Sequence, residues 1–122
     1  MVIYVATLYA KPGHELEVTR WYQDQEPSLR EAKGYRGRQM LRARPGTFEA
    51  EVRRVMSPEQ LAAAPHEEHA PEGVHFVLIE QWDTVADRIA HSRSASKDRA
   101  RELIPHILPA HTHEFYEDVT PA

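Results

Sequence analysis

The 122-residue sequence contains no cysteine. Disulfides, thiolate nucleophiles and zinc-thiolate centres are therefore excluded, and nothing points to an oxidising compartment. Asparagine is absent as well, a depletion that accompanies either a hot habitat or codon bias, and one that removes this residue from every mechanism considered below. Glycine-rich phosphate loops and dinucleotide fingerprints of the G-x-G-x-x-G type are missing, so no nucleotide, flavin or nicotinamide cofactor is implied. There is no long apolar run. The opening "MVIYVATLYAKPG" has no basic n-region and reaches charge at Lys11, which predicts neither a signal peptide nor a membrane span and hence a cytoplasmic protein. With a net charge of −4, there is no electrostatic reason to expect nucleic acid or an anionic membrane as partner.

What is present reads as one domain over residues 1–122, long enough to bury a core without covalent staples. Residues 2–10, "VIYVATLYA", are rich in β-formers and apolar on both alternating faces: Val2, Tyr4, Ala6 and Leu8 on one, Ile3, Val5 and Tyr9 with Thr7 on the other. A strand of that kind is covered on both sides. "KPG" ends it, and from about His14 to Lys33 the positions Val18, Tyr22, Gln25, Leu29 and Ala32 form a helical stripe. Pro27 lies inside that stripe and predicts a kink or restart, and Gly34 marks its end.

Residues 35–44, "YRGRQMLRAR", alternate Tyr35, Gln39, Leu41 and Ala43 against Arg36, Arg38, Arg42 and Arg44. A hairpin about Pro45-Gly46 would set Arg42 opposite Glu49, Leu41 opposite Ala50 and Ala43 opposite Phe48. The arginine comb then reads as a solvated strand face paired with Glu49 and Glu51. Ser57, Pro58 and Gln60 form a capping-box signature ahead of a short helix. "PHEEHAPEG", 65–73, reads as loop. Its "HEEH" brings the second histidine one residue too early for the zinc-protease helix motif. Residues 45–74 thus form an inserted hairpin, short helix and loop. A third strand covers 75–82, with Asp83 capping the helix after it. A further helical run from about Ser94 carries Ala95, Ala100, Leu103, Ile104, Ile107 and Leu108, interrupted at Pro105, and a last strand covers 111–119. The order β-α-β-β-α-β, with the additional hairpin strand between the middle strands, predicts an α+β, ferredoxin-like split βαβ protomer with an antiparallel sheet. Two helices cover only one face of such a sheet, so the second apolar face predicts a homodimer.

Three landmarks occur in order: "KPGHE" at 11–15, "GYRG" at 34–37 and "IEQWDTVADRIAH" at 79–91. In their order and spacing the chain resembles the antibiotic biosynthesis monooxygenase family of the dimeric α+β barrel superfamily, over about residues 2–43 and 75–119. The resemblance implies a dimer whose sheets pack face to face, with a pocket between each sheet and its helices. It also implies a cofactor-free oxygenase of a flat phenolic, quinol or anthrone-type aromatic, with dioxygen as co-substrate. Trp82 matches the family's tryptophan at the end of the third strand, and His91 its histidine on the following helix. Two departures stand out. Haem degraders of the family take an asparagine from the first strand, where Thr7 is the interior polar group. Its anthrone oxygenases take one four residues before the tryptophan, where this chain has Leu78.

The candidate catalytic residues are accordingly Trp82 and His91, with Leu78, Glu80, Thr7 and His113 as candidate pocket residues and no cofactor or metal required. Trp82 offers a flat wall for an aromatic ring, or anchors the end of the sheet. His91 titrates nearest neutrality and suits a general base, or caps the C-terminal end of its helix. His111 and His113 share one face of the last strand and offer a metal-dependent alternative. A third alternative is a non-catalytic or stress-associated dimer that binds an aromatic ligand without turning it over.

Overall fold

The computed structural model describes residues 1–64, 72–94 and 97–122. The elements run β1 (Val2–Ala10), α1 (Glu15–Glu31), β2 (Tyr35–Arg42), α2 (Thr47–Val55), α3 (Pro58–Ala63), β3 (Val74–Trp82), α4 (Val85–Ser94), α5 (Lys97–Leu103), a 3-10 turn (Ile104–His106) and β4 (Ile107–Tyr116). The sheet order is β2-β3-β1-β4, antiparallel throughout. This is the ferredoxin-like arrangement, with the two sequence-central strands separated by α2 and α3 rather than by a tight turn. "HEEH" and Ala95 lie outside the described residues. Among those residues, no helix is long and apolar enough to cross a membrane.

Register sorts the side chains. Val2, Tyr4, Ala6, Leu8 and Ala10 lie opposite Trp82, Glu80, Leu78, Phe76 and Val74, and these rows meet the helices. The core forms from Leu8, Ala10, Phe76 and Leu78 under Val18 of α1 and Leu103 of α5, all buried. The two-sided apolar reading of β1 holds: Ile3, Val5 and Thr7 face away from the helices, opposite Gln81, Ile79 and Val77. α1 continues through Pro27 as one helix, so the proline causes no restart. A bulge at Gly37 shifts the β2–β3 register after Tyr35, which puts Tyr35 on the same face as Trp82 and then Arg38, Met40 and Arg42 opposite Glu80, Leu78 and Phe76.

Several sequence expectations are corrected. No hairpin strand follows Gly46; the chain turns there in a left-handed conformation and enters α2. Glu49 pairs with Arg53 and Glu51 with Arg54 along the helix, so the charges assigned across a hairpin act at helical i,i+4 and i,i+3 spacing instead. Asp83 does not cap α4: its carboxylate accepts from Arg36, while the Thr84 hydroxyl accepts from the Asp87 N–H. β4 begins at Ile107, four residues earlier than expected, because the 3-10 turn at Pro105 ends the helix and returns the chain to extended backbone.

Candidate functional site

Arg36, Arg42 and Arg44 of the arginine comb are exposed as expected, but Arg38 leaves the solvated face. Arg38 is almost fully buried on the helix side, its side chain 7% exposed, because the Gly37 bulge turns it under α1. There it donates to the Tyr22 carbonyl at 2.7 Å and lies 3.3 Å from Glu26 Oε2 and 4.0 Å from Glu80 Oε2. Glu80 is buried as well, at 3% exposure. Its Oε1 accepts from the Trp82 indole N–H at 2.8 Å and from Arg88 Nε at 2.8 Å. One carboxylate thus joins three elements: β3, which carries it and Trp82; β2 through Arg38; and α4 through Arg88. A buried carboxylate is tolerated only when its oxygens are saturated in this way.

Above this network lies a cavity of about 250 Å³ between the sheet and the helices. Trp21, Tyr22 and Leu29 of α1 form one wall, Arg38 and Glu80 the floor, and Arg88 and His91 of α4 the other wall. His91 also borders a wider surface hollow of about 580 Å³ between the C-terminal half of α1 and α4. That hollow is lined by surface residues such as Ser28, Lys33 and Asp87. The smaller cavity is where buried aromatic and charged groups converge, the usual composition of a small-molecule site.

Burial holds the His91 pKa below its ordinary 6.5, and the neighbouring Arg88 and Arg38 charges lower it further against an opposing pull from Glu80. The imidazole is therefore neutral at pH 7 and available to accept a proton. Burial raises the Tyr22 and Tyr4 hydroxyls. For Tyr35, burial and its hydrogen bond to Glu26 (2.9 Å) push the value up to about 12. These phenols are hydrogen-bond donors at neutral pH rather than bases. Arg88 lies 4.2 Å over the Tyr4 ring and 5.8 Å over the Trp82 ring, a cation–π position that fixes its guanidinium.

The sequence-nominated residues separate into groups. Trp82 and His91 do come together, with ring centroids 5.7 Å apart, and Glu80 joins them. Trp82, however, is wholly buried, edge-on to Tyr35, so it offers no free face for stacking and instead holds Glu80. Leu78 is packed in the core and does not border the cavity. Thr7 lies on the opposite face of the sheet, its hydroxyl hydrogen-bonded to that of Thr112. It cannot line a pocket beneath the helices. His113, opposite Ala6 on β4, is exposed and stacks on His111 at 5.9 Å. Among the described residues no third ligand joins that pair, as the metal-dependent alternative requires. Sequence reasoning missed Arg38, Arg88 and Trp21 as site residues. Arg38 was concealed by a one-residue bulge, and Arg88 meets Glu80 through a turn that no local period encodes.

The fold and site define a ferredoxin-like α+β protomer with one charged, aromatic-walled cavity between sheet and helices. No protein-family model and no curated protein sequence matches the chain. Solved structures do. The fold is that of proteins described as antibiotic biosynthesis monooxygenases: one structure so described shares 16% identity over 98% of this chain and 100% of its own, with a TM-score of 0.60. A variant of SnoaB, a cofactor-independent oxygenase from Streptomyces nogalater, is 10% identical over 98% of this chain and 94% of its own, with a TM-score of 0.63. Rv0793 from Mycobacterium tuberculosis is 12% identical over 99% and 97%, with a TM-score of 0.62. At such identities the likeness is one of fold, and it extends over the whole chain.

Proposed function

We propose that the protein is a cofactor-independent monooxygenase of a small, flat phenolic, quinol or anthrone-type molecule bound in the cavity beside His91. The observation that carries the reading is His91 itself: half-buried and held neutral, it stands at a cavity with Trp21 and Tyr22 in the facing wall, Arg38 in the floor and Arg88 beside it. A neutral base beside fixed cations suits removal of a proton from a weakly acidic substrate, since the anion is stabilised where it forms. The cavity of about 250 Å³ lies just under the roughly 300–1,000 Å³ of typical small-molecule sites and suits a compact, flat molecule. For a substrate with an activated methylene, His91 takes one proton. The resulting carbanion passes an electron to dioxygen, and recombination forms a carbon–oxygen bond to a peroxide. Loss of the second carbon-bound proton, with cleavage of the O–O bond and return of the His91 proton, gives a ketone and one water. Both oxygen atoms and all four electrons are then accounted for without a further reductant. The similarity in fold to a cofactor-independent oxygenase supports this chemistry.

The test is oxygen uptake with quinol, naphthol and anthrone panels. Wild type should turn over at least one of them and His91→Ala should lose about 100-fold or more, as removal of a general base does. Because the His91 pKa is depressed, the acid limb of the rate profile should fall below pH 6.5, with the base protonated and inactive beneath it. Equal rates in wild type and variant remove His91 from the mechanism.

One observation favours a second reading, a binding protein without turnover: Leu78, where the resemblance implies an asparagine in the anthrone oxygenases, is packed in the core, and Thr7, the polar residue of β1, lies on the far side of the sheet. Ligand-dependent thermal stabilisation with no oxygen consumption selects that reading. In either case we propose that a second copy of the chain covers the open sheet face, which presents Ile3, Val5, Val77, Ile79 and Leu41.

A further inference from the structure

A second cluster of chemically competent side chains lies at the other end of the sheet. Trp82 pairs with Val2 at the start of β1, whereas His14 follows the end of the same strand. Nine strand residues separate the two regions by roughly 25–30 Å. His14 is the residue immediately before α1, and His106 closes the 3-10 turn before β4. Their Nδ1 atoms are 2.9 Å apart and both rings are partly buried. Glu17, in the first turn of α1, brings a carboxylate oxygen such that all three ligand atoms lie within 4.8 Å of one another. No other grouping of this kind occurs among the described residues.

We infer that His14, Glu17 and His106 form a binding site for a divalent transition-metal ion of the zinc or cobalt type. Two imidazole nitrogens and one carboxylate are a known set for such ions, with water as fourth ligand. The site is built by the fold rather than by chance rotamers. The Lys11 N–H donates to the His106 carbonyl at 2.9 Å, and the His14 N–H to the Lys11 carbonyl at 2.9 Å, so backbone bonds already fix the two loops against each other. The spacing from His14 to Glu17 puts both on the same side of the first helical turn. In the metal-free form one ring donates its Nδ1 proton to the other. On binding, that proton moves to Nε2 of its own ring and both Nδ1 lone pairs face the ion, with no net loss of a proton. Metal–nitrogen bonds of roughly 2.0–2.1 Å at tetrahedral angles place the nitrogens roughly 3.3 Å apart, a small separation from the present 2.9 Å. The positive end of α1 and Lys11 oppose a cation there, and Glu15 and Glu17 in the first turn offset them. A metal at this position clips the start of α1 to the entry of β4, a structural role independent of the chemistry at His91.

Full-length protein, freed of affinity tags and stripped with chelator, is titrated with Co²⁺ alone and with Zn²⁺ alone. One equivalent of Co²⁺ should bind with visible d–d absorption, Zn²⁺ should displace it, and Zn²⁺ should raise the melting midpoint by several degrees. His14→Gln and His106→Gln should each weaken binding about 100-fold, and Glu17→Gln about 10-fold. A His111→Gln/His113→Gln double variant should bind as wild type. Circular dichroism of each variant checks folding, and Glu17→Gln, at an exposed position, keeps the test decisive if a histidine variant misfolds. Absence of stoichiometric binding, or binding retained in the His14→Gln and Glu17→Gln proteins, overturns the assignment.

Discussion

The behaviour of the candidate site turns on single residues, above all Glu80. Its carboxylate is shared by the Trp82 indole, Arg88 and Arg38, and removing the charge leaves two guanidinium groups under the helices, with Glu26 pairing Arg38. Breaking a buried ionic network from one side costs about 3–5 kcal/mol. Glu80→Gln, which keeps the shape and loses the charge, should lower the unfolding free energy by about that amount in urea titrations monitored by tryptophan fluorescence. A loss below about 1 kcal/mol would mean that water rather than Glu80 balances the arginines. Trp82 belongs to the same network. Its burial makes it a positioning residue for Glu80, and its spacing from His91 reflects the passage of strand into helix that brings a base to the cavity wall.

At the scale of elements, the tightest junction is the loop from α1 to β2. Gly34 has φ +83, accepts from the Asp83 N–H at 2.8 Å, and would meet Asp87 Cγ and Cβ at 2.7 and 2.8 Å if it carried a Cβ. Gly34→Ala combines a left-handed backbone penalty of about 1–2 kcal/mol with displacement of α4. It should destabilise the protein by about 2 kcal/mol or more in the same titrations, and a neutral result would contradict this packing. The elements also show what could be read beforehand. The four main strands, α1 and the capping box at Ser57 were legible because apolar period and cap chemistry coincide there; Ser57 and Gln60 do exchange both hydrogen bonds. α2 was misread because Arg42, Leu41 and Ala43 align plausibly with Glu49, Ala50 and Phe48 across a turn, while the same glutamates fit helical pairing equally well. Neither the Gly37 bulge, which buries Arg38, nor the meeting of His14 with His106 across 92 residues leaves a local signature. Trp82, His91 and Glu80 could be grouped beforehand because one short segment carries all three.

For the whole molecule, the proposed dimer rests on the helix-free face of the sheet. Ile3, Val5, Val77 and Ile79 form an apolar band along the two central strands, and Leu41 and Tyr116, 47% and 51% exposed, extend it to both edges. A stable interface needs roughly 800 Å² per partner, and a four-stranded sheet face offers that area. Sedimentation equilibrium should give twice the chain mass at micromolar concentration, and Ile79→Glu should convert the protein to a folded monomer. A wild-type monomer would contradict the proposed dimer. The cavity beside His91 lies within one protomer, on the far side of the sheet from this band, so ligand binding should survive in the monomeric variant.

The proposed function stands or falls with a small aromatic occupying that cavity. The chain has two tryptophans, giving two indole N–H signals, and only Trp21 borders the cavity. Nuclear magnetic resonance titration with a quinol or naphthol under anaerobic conditions should shift the Trp21 indole and the His91 ring signals together and saturably, while Thr7 and Val77 on the open face stay fixed. Saturable shifts confined to the open face, with Trp21 and His91 unmoved, would contradict it.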